Sequence, residues 1–148
     1  MVKMQRAFPV AISVIGIGLL FACSNRNTLF EKISSDESGI RFNNTIVEND
    51  TLNPLDVTNI YNGGGVGVGD FNNDGLQDIY FTGNVVENKL YLNRGDFYFR
   101  DITADAGVNG QGRWCRGVSV ADINNDGWLD LYVATSIMAD ASKRQKHL

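Results

Sequence analysis

The sequence predicts an all-β chain of four-stranded antiparallel units, and three observations carry the expectation. Runs rich in β-branched, aromatic or small residues recur over residues 65–70, 78–83, 89–93 and 97–102, separated by clusters of Asn, Asp and Gly. The stretch Asp70-Phe71-Asn72-Asn73-Asp74-Gly75-Leu76-Gln77-Asp78 returns fifty-two residues later as Asp122-Ile123-Asn124-Asn125-Asp126-Gly127-Trp128-Leu129-Asp130. A long internal period of this kind marks an architecture in which each supersecondary unit leans on its neighbour. At 148 residues, 43% hydrophobic and 20% charged, the chain has the make-up of one ordinary globular domain.

The first residues stand apart from that pattern. Residues 1–9 carry Lys3 and Arg6 with no acid, and residues 10–22 form an apolar run that ends at Ala22, directly before Cys23. A charged start, an apolar stretch too short for a comfortable membrane span and a small residue before the cut describe an export signal. The Cys placed after it resembles the lipobox of bacterial lipoproteins, although Phe21 departs from the small or aliphatic residue usual at its place. That resemblance implies a leader over residues 1–22, lipidation of Cys23, a tether over residues 23–28, and, from Ser24, sorting to the outer membrane. Loss of the leader removes Lys3 and Arg6 and no acid, moving the formal net charge from −4 to −6. An acidic chain argues against a nucleic-acid partner. Only Cys115 is then left unmodified, so no internal disulfide framework exists. Cys115 and the single His147 have no third orienting group beside them in sequence, and Cys115 reads as a buried small residue rather than a nucleophile.

Residues 29–62 read as an N-terminal strand near Phe30 followed by an irregular connection rich in Asn, Asp and Thr. Residues 30–40 echo residues 99–108, so the chain opens with the last part of a repeat unit. The first complete unit covers residues 63–115. Its alternation Gly65-Val66-Gly67-Val68-Gly69 puts both valines on one face and only hydrogen on the other, where another backbone can approach closely. Turns are expected at residues 70–78, 84–88 and 93–96. The last of these holds the adhesion tripeptide Arg94-Gly95-Asp96, at a place where turn chemistry favours Gly and Asp anyway. Residues 116–148 repeat the first half of the unit and end within it, with Lys143 to Lys146 as a solvated loop tip.

Both copies of the organising stretch read D-x-N-x-D-G-x-x-D. This spacing offers side-chain oxygens at loop positions 1, 3, 5 and 9, with the carbonyl of position 7 as a further donor. The expected ligands are Asp70, Asn72, Asp74, Leu76 and Asp78 in one loop, and Asp122, Asn124, Asp126, Trp128 and Asp130 in the other. Hard oxygen donors without sulfur or imidazole suit Ca²⁺, so two calcium sites are predicted. An EF-hand is excluded, because its twelfth position requires a bidentate Glu where this chain has Phe81 and Val133. Plain hairpin-turn chemistry would account for one Asn-Asp-Gly. It does not account for outlying aspartates returning at identical offsets.

Four-stranded units at this period, each opening Gly-Val before an oxygen-rich loop, resemble the FG-GAP repeats of integrin α-chain propellers and, more closely, bacterial VCBS-repeat lipoproteins. The resemblance covers residues 29–148 and implies blades of an FG-GAP-type β-propeller, about one and a half of them here, with the calcium loop joining the first two strands. A closed propeller has four to eight blades, so the chain is expected to be a piece of a longer protein, with ring closure by an oligomer as the alternative. The implied function is a lipid-anchored, calcium-stabilised binding scaffold outside the cytoplasm for a glycan or protein, with no catalytic residues. Two alternatives are a fragment of a propeller-based polysaccharide-degrading enzyme, with Asp101 and Asp105 as available carboxylates, and a structural subunit of an outer-membrane complex.

Overall fold

The computed structural model describes residues 29–50, 52–55, 57 and 60–135. The expected leader, Cys23 and its tether, and the expected loop tip and His147 lie outside the described residues. From Ile33 onward the described residues belong to one compact unit, and residues 29–32 belong to another.

Residues 29–34 are bends and irregular backbone, so the strand expected near Phe30 does not form there. A strand needs a paired edge, and no bridge partner meets these residues among those described. The segment instead runs into a one-turn helix, α1 (Ser35–Ser38), fixed by a capping box. Ser34 Oγ accepts the Glu37 N–H at 3.2 Å while Glu37 Oε2 accepts the Ser34 N–H at 3.0 Å, and Gly39 closes the turn at φ 74°.

Four strands then follow as a meander: β1 (Val66–Gly69), β2 (Asp78–Phe81), β3 (Lys89–Asn93) and β4 (Phe99–Asp101). All neighbours pair antiparallel in the order β1-β2-β3-β4. A second one-turn helix, α2 (Thr103–Ala106), ends at Gly107 with φ 68° and leads into β5 (Cys115–Ala121). β5 pairs with β6 (Asp130–Thr135) from Cys115 to Ala121, with a register shift between Cys115 and Gly117 that interrupts the ladder near its start. The fold is therefore all-β, and the described residues form one four-stranded and one two-stranded antiparallel sheet. The strands expected at residues 65–70, 78–83, 89–93 and 97–102 are present within a residue or two of those bounds, β5 begins two residues earlier than expected, and the continuation of the second unit at residues 147–148 lies outside the described residues.

The glycine face of β1 is where the two sheets meet. A Cβ built on Gly67 would stand 2.9 Å from Val120 Cγ2 and 3.3 Å from Val118 Cγ1, and one on Gly69 would stand 2.8 Å from Leu129 Cδ1. At Gly65 the neighbour is backbone itself, with Val118 N at 3.0 Å. The opposite face of the first sheet is covered in part by the segment after α1. Phe42 stacks on Phe81 with ring centroids 4.9 Å apart, Tyr91 meets Phe81 edge-on, and the Arg41 N–H donates to Tyr91 Oη at 3.2 Å. Such aromatic pairs contribute about 0.5–1.5 kcal/mol beyond their buried area.

Between the sheets the core is polar as well as apolar. Asn88, 1% exposed, accepts the Gly83 N–H through Oδ1 at 2.8 Å and donates through Nδ2 to Tyr80 Oη at 2.8 Å and to Cys115 Sγ at 3.4 Å. Tyr80 Oη donates onward to the Val108 carbonyl at 2.7 Å. Asn84 and Asn44 exchange two hydrogen bonds, at 2.6 and 2.9 Å, and Asn84 Nδ2 also reaches the carbonyls of Gly63 and Cys115. A fully satisfied network of this kind fixes one arrangement of its members, since any loss leaves a buried polar group alone. Burial pushes the Cys115 thiol above its usual range, which keeps it protonated and unreactive near neutral pH.

Two predictions follow from these contacts. A Cβ at Gly64 would lie 1.8 Å from the Thr82 carbonyl oxygen, whereas one at Gly117 would meet only Ala134 Cβ at 3.9 Å. Urea unfolding should therefore show Gly64→Ala destabilised by at least about 1–3 kcal/mol and Gly117→Ala within about 0.5 kcal/mol of the parent. Burial raises the Tyr80 phenol to about 12. Its folded pKa lies above its unfolded value, so its contribution is complete below pH ~10 and lost as pH rises through its folded value. Alkaline unfolding monitored by circular dichroism should lose that component in Tyr80→Phe.

Candidate metal centre

Each copy of the repeated stretch bridges a hairpin, from Gly69 to Asp78 and from Ala121 to Asp130. Both loops have the same backbone. Asn73 and Asn125 hold left-handed conformations at φ 56° and 59°, and Gly75 and Gly127 sit at φ 86° and 88°. Asn tolerates that region and Gly adopts it freely, which is why these types stand at positions 4 and 6.

The side-chain bonding is duplicated too. Asp70 accepts the N–H groups of Asp74 and Gly75 at 3.1 and 2.8 Å, and Asp122 accepts those of Asp126 and Gly127 at 3.1 and 2.9 Å. Asn72 Oδ1 accepts the Asp74 N–H and its Nδ2 donates to Asp74 Oδ2, with Asn124 and Asp126 repeating both bonds. Asp74 and Asp126 accept the N–H of Leu76 and Trp128, each at 2.9 Å. The Leu76 N–H, and then Asn72, hold the exposed Asp74 carboxyl below its usual range. Positions 1, 3 and 5 are thus drawn into one oxygen-lined turn in each loop, with Leu76 and Trp128 exposed beside it.

Position 9 is different. Asp78 is wholly buried at the start of β2, where Oδ2 accepts the Phe71 N–H at 2.9 Å and Oδ1 accepts the Asn93 N–H of β3 at 2.8 Å. Burial pushes its carboxyl up, against the pull of those two N–H groups. Asp78 therefore staples the loop to the sheet. Asp130 accepts the matching Ile123 N–H at 3.0 Å. Among the described residues, no three acidic, histidine or cysteine side chains converge as a metal group.

The donor set still suits a hard cation, since every expected ligand offers oxygen. A carboxylate has about four lone-pair sites, so the two N–H bonds of Asp78 leave acceptor capacity free. Sequence reasoning missed Asn93, whose N–H holds Asp78 and whose Nδ2 donates to the Gln77 carbonyl at 3.0 Å. It also missed Asn73, whose Nδ2 leaves its own loop for the Gly127 carbonyl at 3.2 Å. Only the unusual density of Asn at strand ends hinted at either. The alternative catalytic carboxylates hold structural bonds: Asp101 accepts from the Thr103 hydroxyl and N–H and pairs with Lys89 at 3.3 Å, and Asp105 faces Arg100 at 3.9 Å. The tripeptide at residues 94–96 is a tight turn closed by the Arg94 N–H on the Tyr98 carbonyl at 2.8 Å.

The two staples differ in burial and in bond count. Asp78→Ala should cost on the order of 2–4 kcal/mol in denaturant unfolding, because it strands two N–H groups beside a buried site. Asp130→Ala, which frees one N–H in a more open loop, should cost about 1 kcal/mol.

Comparison with known proteins finds an FG-GAP-like repeat over residues 70–133, from the first residue of the first loop into β6. Human cartilage acidic protein 1 is 42% identical over 72 residues, and the Xenopus tropicalis protein of that name is 39% identical over 74. These alignments cover 48% and 49% of this chain but only 11% of each relative. The chain thus matches a small part of much longer proteins.

Proposed function

We propose that this chain is part of a calcium-stabilised β-propeller, exported and lipid-anchored through Cys23, that serves as a non-catalytic scaffold presenting its loops to a glycan or protein. The observation that carries this proposal is the duplication of one oxygen-lined loop at the hairpin tips of two packed sheets, with the hydrogen bonds among positions 1, 3, 5, 6 and 7 repeated in both. The FG-GAP-like repeat supports the propeller part, and the charged start and apolar run before Cys23 support export and anchoring. Asp70, Asn72 and Asp74 would hold the ion with the Leu76 carbonyl and a share of Asp78, and Asp122, Asn124, Asp126, Trp128 and Asp130 would do so in the second loop. The ion would supply positive charge that offsets the mutual repulsion of three carboxylates in nine residues. The chain itself does the rest: Asp78 and Asp130 fix the loop base, and Gly75 and Gly127 turn the backbone.

Because Asp78 is already committed to two N–H groups, affinity in the range of extracellular calcium modules is expected, with Kd about 10⁻⁴–10⁻³ M. Trp128, 52% exposed in the second loop, is an intrinsic donor for terbium luminescence. Terbium should give a saturable signal that calcium displaces and that Asp126→Ala weakens through loss of the second site, while Trp128→Phe removes most of the signal and leaves calcium binding intact. A folded chain that gives no signal and takes up no calcium would reduce both loops to turns.

A further inference from the structure

The two loops touch, and the contact is built from one residue of each. Asn73 occupies position 4 of the first loop, where its left-handed backbone at φ 56° aims the carboxamide away from its own turn. Its Nδ2 donates at 3.2 Å to the carbonyl oxygen of Gly127, position 6 of the second loop and fifty-four residues along the chain. The N–H of that same Gly127 is held by Asp122 at 2.9 Å. Gly127 is therefore gripped from both sides, by a position-1 carboxylate of its own loop and by a side chain of the other loop. Phe71 of the first loop lines a common groove with Ile123, Asn124 and Leu129 of the second, and the Phe71 N–H is held by Asp78.

We propose that Asn73 couples the two loops, so that a cation ordering one favours the ordered form of the other and the sites fill cooperatively. The proposal rests on the calcium sites of the preceding section. Its physical content is linkage. An ion that fixes Asp122 also fixes Gly127, which presents its carbonyl to Asn73 in one position. Asn73 in turn is the residue between Asn72 and Asp74, both expected ligands. By thermodynamic reciprocity, whatever one site gains from the other's occupancy, the other gains equally.

Calorimetric titration of the full chain with calcium tests this, using two variants with the same local chemistry. Asn73→Gly keeps the left-handed backbone and deletes the strut. Asn125→Gly makes the same change at the counterpart position, φ 59°, in the second loop, leaving the strut in place. The parent and Asn125→Gly should bind two calcium ions with a Hill coefficient above one, the second ion about fivefold tighter than the first. Asn73→Gly should also bind two, with a Hill coefficient of one. Two ions bound independently by the parent, or cooperativity unchanged in Asn73→Gly, would overturn the coupling while leaving the sites intact. No calcium uptake by the folded parent would overturn the sites and the coupling together.

Discussion

The approach of β5 to the glycine face of β1 is the contact on which the rest of the structure depends. With hydrogen alone at Gly67 and Gly69, the methyls of Val118 and Val120 reach the β1 backbone, and a Cβ at either glycine would lie within 3.0 Å of a side-chain carbon. Interiors this close to crystal density do not absorb an added methyl without moving a neighbour. The cost is that two glycines in a strand weaken it in isolation. The second sheet offsets this by covering them, so the first unit is completed by the second. The same approach brings the two loops side by side, near enough for Asn73 to reach Gly127 at 3.2 Å.

Around that contact the interior is fixed by polar groups as much as by apolar area. Asp78, Thr82, Asn84 and Asn88 are all at most 3% exposed, and each is satisfied by backbone or side-chain partners. Hydrophobic contact tolerates small slips, whereas a buried amide with several partners does not. Asn88 ties the β2–β3 turn to Cys115 at the start of β5, and Asn84 ties it to Asn44 before β1 and to the Cys115 carbonyl. The geometry of the loops follows, because Asp78 and Asn93 stand on the two strands that these asparagines lock together.

Much of this was legible in the sequence, for identifiable reasons. Alternation at Gly65 to Gly69 revealed the close-approach face because a two-residue period maps directly onto the two sides of a strand. The repeated D-x-N-x-D-G-x-x-D revealed two loops of one shape because each offset constrains the backbone. What escaped was decided by tertiary contact. Asp78 could be recognised as an oxygen donor but not as a group turned toward Asn93 on another strand. Asn84 and Asn88 look like turn residues by composition, and their burial depends on β5 passing over them. The two helices are single turns without periodicity, although Ser34, Glu37 and Gly39 carry a cap signature that local reasoning can find. The echo between residues 30–40 and 99–108 survives as matching helices and not as matching strands. Helix capping is local, whereas the strand at β4 exists because β3 lies beside it.

The seating of the second sheet on the glycine face is the central claim, and nuclear Overhauser contacts on the methyl-labelled chain test it most directly. Strong cross-peaks between the α-protons of Gly67 and the methyls of Val118 and Val120 are expected. Their absence, with the β1–β2 and β5–β6 cross-strand contacts present, would mean that both sheets form but do not pack in this way.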